Sequence, residues 1–195
     1  MKTMVNTGKG SSLRCVMLGD GMVGKTSIIR SFLGYTLSPN YTATVFMDNY
    51  STHLSLAGAK HTLHITDLSI EEDLHVRPNC QSSNLVTVVC YNVVDKDSFH
   101  NAKSFWLPMV RNINPKIPIV LAATHTDLRC ENNPNHVTEE EGRNLCNEFN
   151  ISAFVECSAV QKVGITKVFQ IVAGLSLQLT LGNKKILTNQ GKNNR

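Results

Sequence analysis

Short apolar runs alternate with amphipathic stretches along most of the chain, and this pattern predicts its elements. Six segments have the pattern of strands: 13–19, 44–58, 60–67, 85–94, 117–124 and 152–159. The runs at 85–94 and 117–124 are continuously apolar, which is typical of strands that are covered on both faces. The second and third segments predict a pair of strands joined at a Gly-Ala turn.

Segments in which apolar residues recur at helical spacing separate most of these strands. They are 25–33, 96–112, 138–149 and 164–179. Thr138 and the acidic residues after it form a helix N-terminal signature, and Pro108 predicts a kink or break near the end of the second helix. Phe105 and Trp106 are predicted core residues. Strands that alternate with helices predict an α/β fold, a mostly parallel six-stranded sheet with helices on both faces.

Length and composition indicate one globular domain. The chain has 195 residues, and we expect a domain over 13–180 between flexible tails at 1–12 and 181–195, the second polar and basic. A net charge of +4 is too small to indicate a nucleic-acid partner. Six cysteines without a Cys-x-x-Cys pair favour reduced thiols and a cytoplasmic location, and no apolar run reaches transmembrane length.

The stretch GDGMVGKTS at 19–27 is the strongest motif, since it fits G-x-x-x-x-G-K-[ST] between a strand and a helix. In such a loop backbone N–H groups hold phosphate oxygens, aided by the positive end of the helix dipole. We expect Lys25 to contact the β and γ phosphates, Thr26 to ligate Mg²⁺ and Ser27 to reach the α phosphate. The motif supplies nine candidate residues: Gly19, Asp20, Gly21, Met22, Val23, Gly24, Lys25, Thr26 and Ser27. It does not by itself separate ATP from GTP.

Two later loops resemble the base-binding loops of the Ras superfamily of small GTPases. LAATHTDLR at 121–129 resembles the family's [NT]KxD loop, and CSA at 157–159 resembles its SA loop. A carboxylate at Asp127 can accept hydrogen bonds from guanine N1–H and from the 2-amino group, whereas adenine offers neither donor. The backbone N–H of Ala159 would serve guanine O6. The resemblance implies the P-loop small-GTPase fold, with GTP or GDP and Mg²⁺ as cofactors.

Further motifs resemble the Rho/Rac branch of that superfamily, and the resemblance spans about residues 13–179. They include YTATVF at 41–46, SFHNAKSFWLPMV at 98–110 and FVECSA at 154–159. The resemblance implies effector binding through 41–50, with exchange factors and GTPase-activating proteins as further partners. It completes the nucleotide-binding set with Leu37, Tyr41, Thr44, Asp67, Thr124, His125, Asp127, Leu128, Ser158, Ala159 and Val160. Thr44 would ligate Mg²⁺ directly, and Asp67 would hold it through water.

Several positions depart from the family pattern. His125 stands where the family has Lys, and Leu37 stands where an aromatic residue stacks on guanine, so we expect weaker nucleotide affinity. Segment 67–78, DLSIEEDLHVRP, is one residue shorter than its counterpart and contains neither Gly nor Gln. Glu71 replaces the water-orienting Gln, and Ile70 replaces the Gly that would contact the γ phosphate. The catalytic set is therefore Lys25, Thr44 and a weak Glu71, which predicts slow hydrolysis unless another side chain orients the water.

Other interpretations remain open. The chain ends GKNNR with no Cys after Cys157, so we expect no lipid anchor from a C-terminal Cys-a-a-X box and membrane association only through partners. One alternative function is a pseudo-GTPase, an interaction module with little nucleotide cycling. A weaker one is an ATP-directed P-loop kinase, against which Asp127 argues.

Overall fold

The structure, a computed structural model, describes residues 10–37, 47–68, 83–130 and 132–190, and of Met47 and 183–190 only the backbone. The strands are β1 (Ser12–Leu18), β2 (Met47–Leu56), β3 (Ala59–Leu68), β4 (Leu85–Asn92), β5 (Ile119–Thr124) and β6 (Ala153–Glu156). The helices are α1 (Lys25–Phe32), α2 (Lys96–Asn101), α3 (Leu107–Ile113), α4 (Glu139–Glu148) and α5 (Ile165–Gln190). A π-helical turn (Ala102–Trp106) joins α2 to α3, and a 3₁₀ turn (Thr126–Leu128) follows β5.

The strands form a single sheet in the order β2-β3-β1-β4-β5-β6. The β2–β3 pairing is antiparallel, and the other pairings among the described strands are parallel, which confirms the predicted fold class. The hairpin turn lies at Ala57 and Gly58, whose φ angles are 51° and 75°. This turn, one residue earlier than the predicted Gly-Ala turn, has the two positive φ values that match the strand twist.

Apolar side chains on the two faces of the sheet form two cores. On one face α1 and α5 pack together, where the Phe32 ring stacks on Phe169 with 4.2 Å between centroids. On the other face the segment from α2 to α3 and helix α4 cover Tyr91 and Leu121. The helices therefore lie on both faces, as predicted, and the core strands are buried on both sides.

The helix after β4 differs from its prediction. It does not break at Pro108 but continues to Ile113, and the irregularity is the π-helical turn just before the proline. Pro108 lies in the first turn of α3, where its missing N–H is tolerated. Trp106 is buried as predicted, but Phe105 is 43% exposed, so its assignment to the core is wrong. Thr138 caps α4 with the capping box expected from its sequence.

Both ends of the domain extend beyond the predicted boundaries. Ser11 and Ser12, predicted to lie in a tail, already pair with β3. Helix α5 runs through Gln190, past the predicted domain end at 180, and its last described core residue is Leu177. Its part Ile165–Gly182 is long and apolar enough for a membrane span by composition, with mean hydropathy 1.3. Apolar residues of this part, such as Phe169, are buried against the sheet. Packing in the core therefore explains why they are apolar.

Candidate functional site

Several candidate residues follow directly after the carboxyl ends of parallel strands. Gly19 follows β1, Asp127 follows β5 and Ser158 follows β6, while Asp67 is the penultimate residue of β3. Since β1, β3, β4, β5 and β6 are parallel, these ends lie along one edge of the sheet. Ligands of open α/β sheets bind at such an edge.

The phosphate loop at 19–24 needs glycine at two positions. Gly19 has a φ of 135°, and a Cβ atom there would lie 2.3 Å from the backbone oxygen of Cys90. Gly24 has a φ of 87° and forms the N-cap of α1. A Cβ atom on Gly24 would lie 3.0 Å from Cε1 of His125, so the imidazole packs directly against the loop. The close approaches explain the motif spacing, because only glycine fits both the space and the backbone angle.

Lys25 begins α1 and is buried inside the phosphate loop. Its Nζ donates hydrogen bonds to the backbone oxygens of Gly19 at 2.8 Å and Asp20 at 2.7 Å. Burial lowers the pKa of the ammonium group, and the nearby acidic groups, among them Asp67, partly oppose that shift. The charge therefore lies at the centre of the loop, where it can meet a phosphate oxygen.

Thr26 and Asp67 bring two oxygen donors together beside Lys25. The Thr26 hydroxyl donates to Oδ2 of Asp67 at 2.5 Å, and Asp67 is fully buried near the end of β3. Hydroxyl and carboxylate oxygens are the ligand types that Mg²⁺ prefers. The pair thus fits the magnesium site predicted for these residues. The third predicted ligand, Thr44, lies outside the described residues, as do Tyr41, Ile70 and Glu71.

The base loop begins at Thr124, the last residue of β5. Its hydroxyl lies 2.7 Å from the backbone oxygen of Val23, 3.0 Å from that of Tyr91 and 2.8 Å from Nδ1 of His125. These contacts join the base loop to the phosphate loop. His125 has a φ of 56°, and burial lowers the pKa of its imidazole, an effect that the Asp127 charge opposes.

A cavity of about 130 Å³ brings the two loops and the β6–α5 segment together. It is lined by Gly24, Ser27, Ile28, Leu37, Thr124, His125, Asp127, Ala159 and Val160. Eight of these nine residues belong to the predicted nucleotide-binding set, and Ile28 is the addition. A wider groove of about 390 Å³ lies next to it and shares Leu37, Ala159 and Val160. Asp127 lines the smaller cavity and not the groove.

Three predicted residues take other positions. Ser158 is fully buried, its Oγ accepts from the backbone N–H of Gln161 at 3.0 Å, and its backbone pairs with Val163. The Ser158 hydroxyl therefore stabilises the turn between β6 and α5. Met22 and Leu128 are 70% and 55% exposed and do not line the cavity.

Sequence reasoning missed two anchoring contacts of the loops. Asp20 accepts hydrogen bonds from Asn101 and Trp106, and Arg129 contacts Glu156 at 2.5 Å. The bond to Glu156 raises the pKa of Arg129, whose Nε also donates to the backbone oxygen of Val137. The partners are far apart in sequence, so no local spacing indicates them.

The fold and the paired loops define a nucleotide-binding protein of the P-loop class. A sequence model of the Ras family matches residues 14–177, so the chain belongs to the Ras family. It is 33% identical over 159 residues to the Ras-like GTP-binding protein RhoL of Drosophila melanogaster. The aligned residues make up 81% of this chain and 83% of the relative. The chain is thus a small GTPase that binds GTP and GDP, and proteins of this family interact with effectors, exchange factors and GTPase-activating proteins.

Proposed function

We propose that the chain is a Rho-like GTP-binding switch that binds GTP or GDP with Mg²⁺ and hydrolyses GTP slowly. The observation that carries this proposal is the cavity in which the phosphate loop, His125, Asp127 and Ala159 meet. The Rho designation of the Drosophila melanogaster relative supports placement in the Rho branch. Effectors would bind segment 41–50, of which Asp48, Asn49 and Tyr50 lie on β2 at the sheet edge.

Different residues of the pocket would bind the base, the phosphates and the metal ion. Asp127 selects guanine because its carboxylate only accepts hydrogen bonds, which matches the N1–H and 2-amino donors of that base. Lys25 neutralises phosphate charge from within its loop, where it is only 7% exposed. Thr26 and Asp67 would hold Mg²⁺, which supplies charge neutralisation of the β and γ phosphates.

The slow hydrolysis follows from the residues after β3. An ionised Glu71 accepts hydrogen bonds but cannot donate one to the transferring phosphoryl group, and its charge opposes the anionic transition state. Ile70 is more restricted in φ and ψ than the glycine it replaces. Buried free thiols at Cys15, Cys90 and Cys157 support a cytoplasmic location.

A calorimetric comparison of GDP with ADP tests the proposal. We expect the wild-type chain to prefer GDP by at least about tenfold, since a carboxylate that adenine covers without giving it a donor costs more than about 1.4 kcal/mol. Asp127→Ala should remove most of this preference. Asp97→Ala, which removes an exposed acid at the start of α2, serves as the matched control. Equal affinities for GDP and ADP in the wild-type chain would refute the proposal.

A second candidate is a pseudo-GTPase that acts through its fold with little nucleotide cycling. It is favoured by His125, whose ring rests on Gly24 in the place of the family's lysine. Mass spectrometry of the nucleotide released from purified protein separates the two candidates. Bound GDP or GTP supports the switch, whereas an empty pocket supports the interaction module.

A further inference from the structure

The carboxylate of Asp20, in the phosphate loop, is bound by two donors from the segment after β4. Its Oδ1 accepts from Nε1 of Trp106 at 2.6 Å, and its Oδ2 accepts from Nδ2 of Asn101 at 2.7 Å. Trp106 is 7% exposed, so its indole N–H depends on Asp20 for a partner. The backbone oxygen of Asp20 is bound by Lys25. We call Asp20, Asn101 and Trp106 the Asp20 clamp; it fixes the side chain of a residue whose backbone Lys25 already holds.

The π-helical turn explains why both donors reach one carboxylate. Asn101 and Trp106 are five residues apart, which in a regular α-helix places side chains about 140° apart around the axis. A π-helical turn closes i to i+5 hydrogen bonds and so brings such positions closer to one face. Here the backbone N–H of Leu107 donates to the oxygen of Ala102. The helical irregularity thus builds the clamp.

The clamp also determines where a negative charge lies in a loop that receives phosphates. A carboxylate that faced the bound phosphates would repel them. Both oxygens of Asp20 are instead bound to the helix. Loss of either donor would free the carboxylate to turn towards the phosphates and would loosen the loop that Lys25 spans.

We propose that Asp20 is a positioning residue for the phosphate loop, and that Asn101 and Trp106 hold it so that the nucleotide's phosphates bind tightly. The proposal rests on the guanine-nucleotide function proposed above. It concerns the phosphate end of the ligand, because the clamp residues do not line the cavity that contains Asp127. GDP affinity should therefore depend on the clamp, and affinity for guanosine, which has no phosphates, should not.

The test compares GDP binding by calorimetry with guanosine binding by NMR titration in four proteins. These are the wild-type chain, Asp20→Asn, Asn101→Ala and the control Asp97→Asn, which removes an exposed acid of α2. Asp20→Asn keeps the side-chain size but replaces one of the two accepting oxygens by an NH₂ donor and removes the charge, so it can accept from only one clamp donor. We expect it to weaken GDP binding about tenfold, as a lost charge-assisted hydrogen bond does, and to leave guanosine binding within about twofold. Asn101→Ala should weaken GDP binding less, and the control should not.

Trp106 supplies a second readout, since it is the only tryptophan of the chain. GDP binding to the wild-type chain should change its emission, and the change should be lost in Asp20→Asn. The double variant Asp20→Asn/Asn101→Ala should bind GDP about as weakly as Asp20→Asn alone. The two substitutions disrupt the same set of contacts, so their effects should not add.

Three results would overturn the proposal. If Asp20→Asn binds GDP as tightly as the wild-type chain does, the positioning role is refuted and the guanine-nucleotide function stays intact. Equal weakening of GDP and guanosine would show a general structural role for Asp20. Wild-type protein that binds neither ligand would refute the guanine-nucleotide function, and the positioning role with it.

Discussion

The Thr26 hydroxyl donates a hydrogen bond to Oδ2 of Asp67 over 2.5 Å and so joins the first turn of α1 to the end of β3. The carboxylate is fully buried, and a buried charge needs such donors. The contact therefore stabilises the part of the pocket where α1 meets β3.

Removal of this donor should destabilise the protein. We expect Thr26→Ala to lower the free energy of unfolding by about 1.5–3 kcal/mol, the usual worth of a hydrogen bond to a charged group. Thr26→Ser keeps the hydroxyl and is the control, with an expected loss below about 1 kcal/mol. Urea denaturation with EDTA and without nucleotide measures both. Equal stability of the two variants would show that the contact contributes nothing.

Gly142 in α4 should not tolerate a side chain. A Cβ atom there would lie 2.6 Å from both the hydroxyl oxygen of Tyr91 and Cζ of Phe154. Gly142→Ala should therefore cost about 1–3 kcal/mol through overpacking, although alanine is the better helix former. Gly174→Ala in α5 meets nothing within 4 Å and should stabilise the protein by about 0.5–1 kcal/mol. Thermal unfolding of both variants should show a lower melting temperature for Gly142→Ala and a higher one for Gly174→Ala than for the wild-type chain.

Protein stability should fall in mild acid because of His125. Burial lowers the pKa of its imidazole in the folded state, with Asp127 the charged neighbour that opposes the shift. The unfolded chain therefore takes up a proton at a higher pH, near 6.5, than the folded chain does. The contribution of His125 is complete above about pH 6.5 and is lost as the pH falls towards its lowered folded pKa.

His125→Asn tests this dependence, because asparagine tolerates the positive φ of 56° and does not titrate. Urea midpoints measured between pH 5 and pH 8 should fall less steeply in the variant than in the wild-type chain. His53→Asn, on the exposed face of β2, is the control and should keep the wild-type slope. Parallel slopes for all three proteins would contradict the assignment to His125.

GTP hydrolysis should speed up when Glu71 is replaced by glutamine. Glutamine can accept from the attacking water and also donate to the transferring group, and one preorganised donor is typically worth tenfold or more. We expect Glu71→Gln to raise the rate of single-turnover phosphate release by about tenfold, and the adjacent Glu72→Gln to leave it unchanged. Wild-type release as fast as that of an ordinary Rho protein would contradict the slow-hydrolysis proposal.

The sequence predicted those parts of the site that depend on local spacing. Gly19, Gly24 and Lys25 belong to one motif of fixed spacing, and Asp127 was assigned through the resemblance of its loop to the family's base loop. Contacts between distant segments were not predictable in this way. Asp20 lies 86 residues from Trp106, and the π-helical turn that directs Trp106 towards it has no signature in apolar spacing. The neighbours Phe105 and Trp106 look alike in sequence, yet one is exposed and the other buried.

The walls of the cavity come from residues spread between Gly24 and Val160. A partly folded chain therefore lacks a complete binding surface, and a bound nucleotide stabilises only the fully assembled sheet. Protease resistance of the purified chain should rise with the logarithm of free nucleotide concentration once that exceeds the dissociation constant. Ligand supply and protein lifetime are in this way thermodynamically linked.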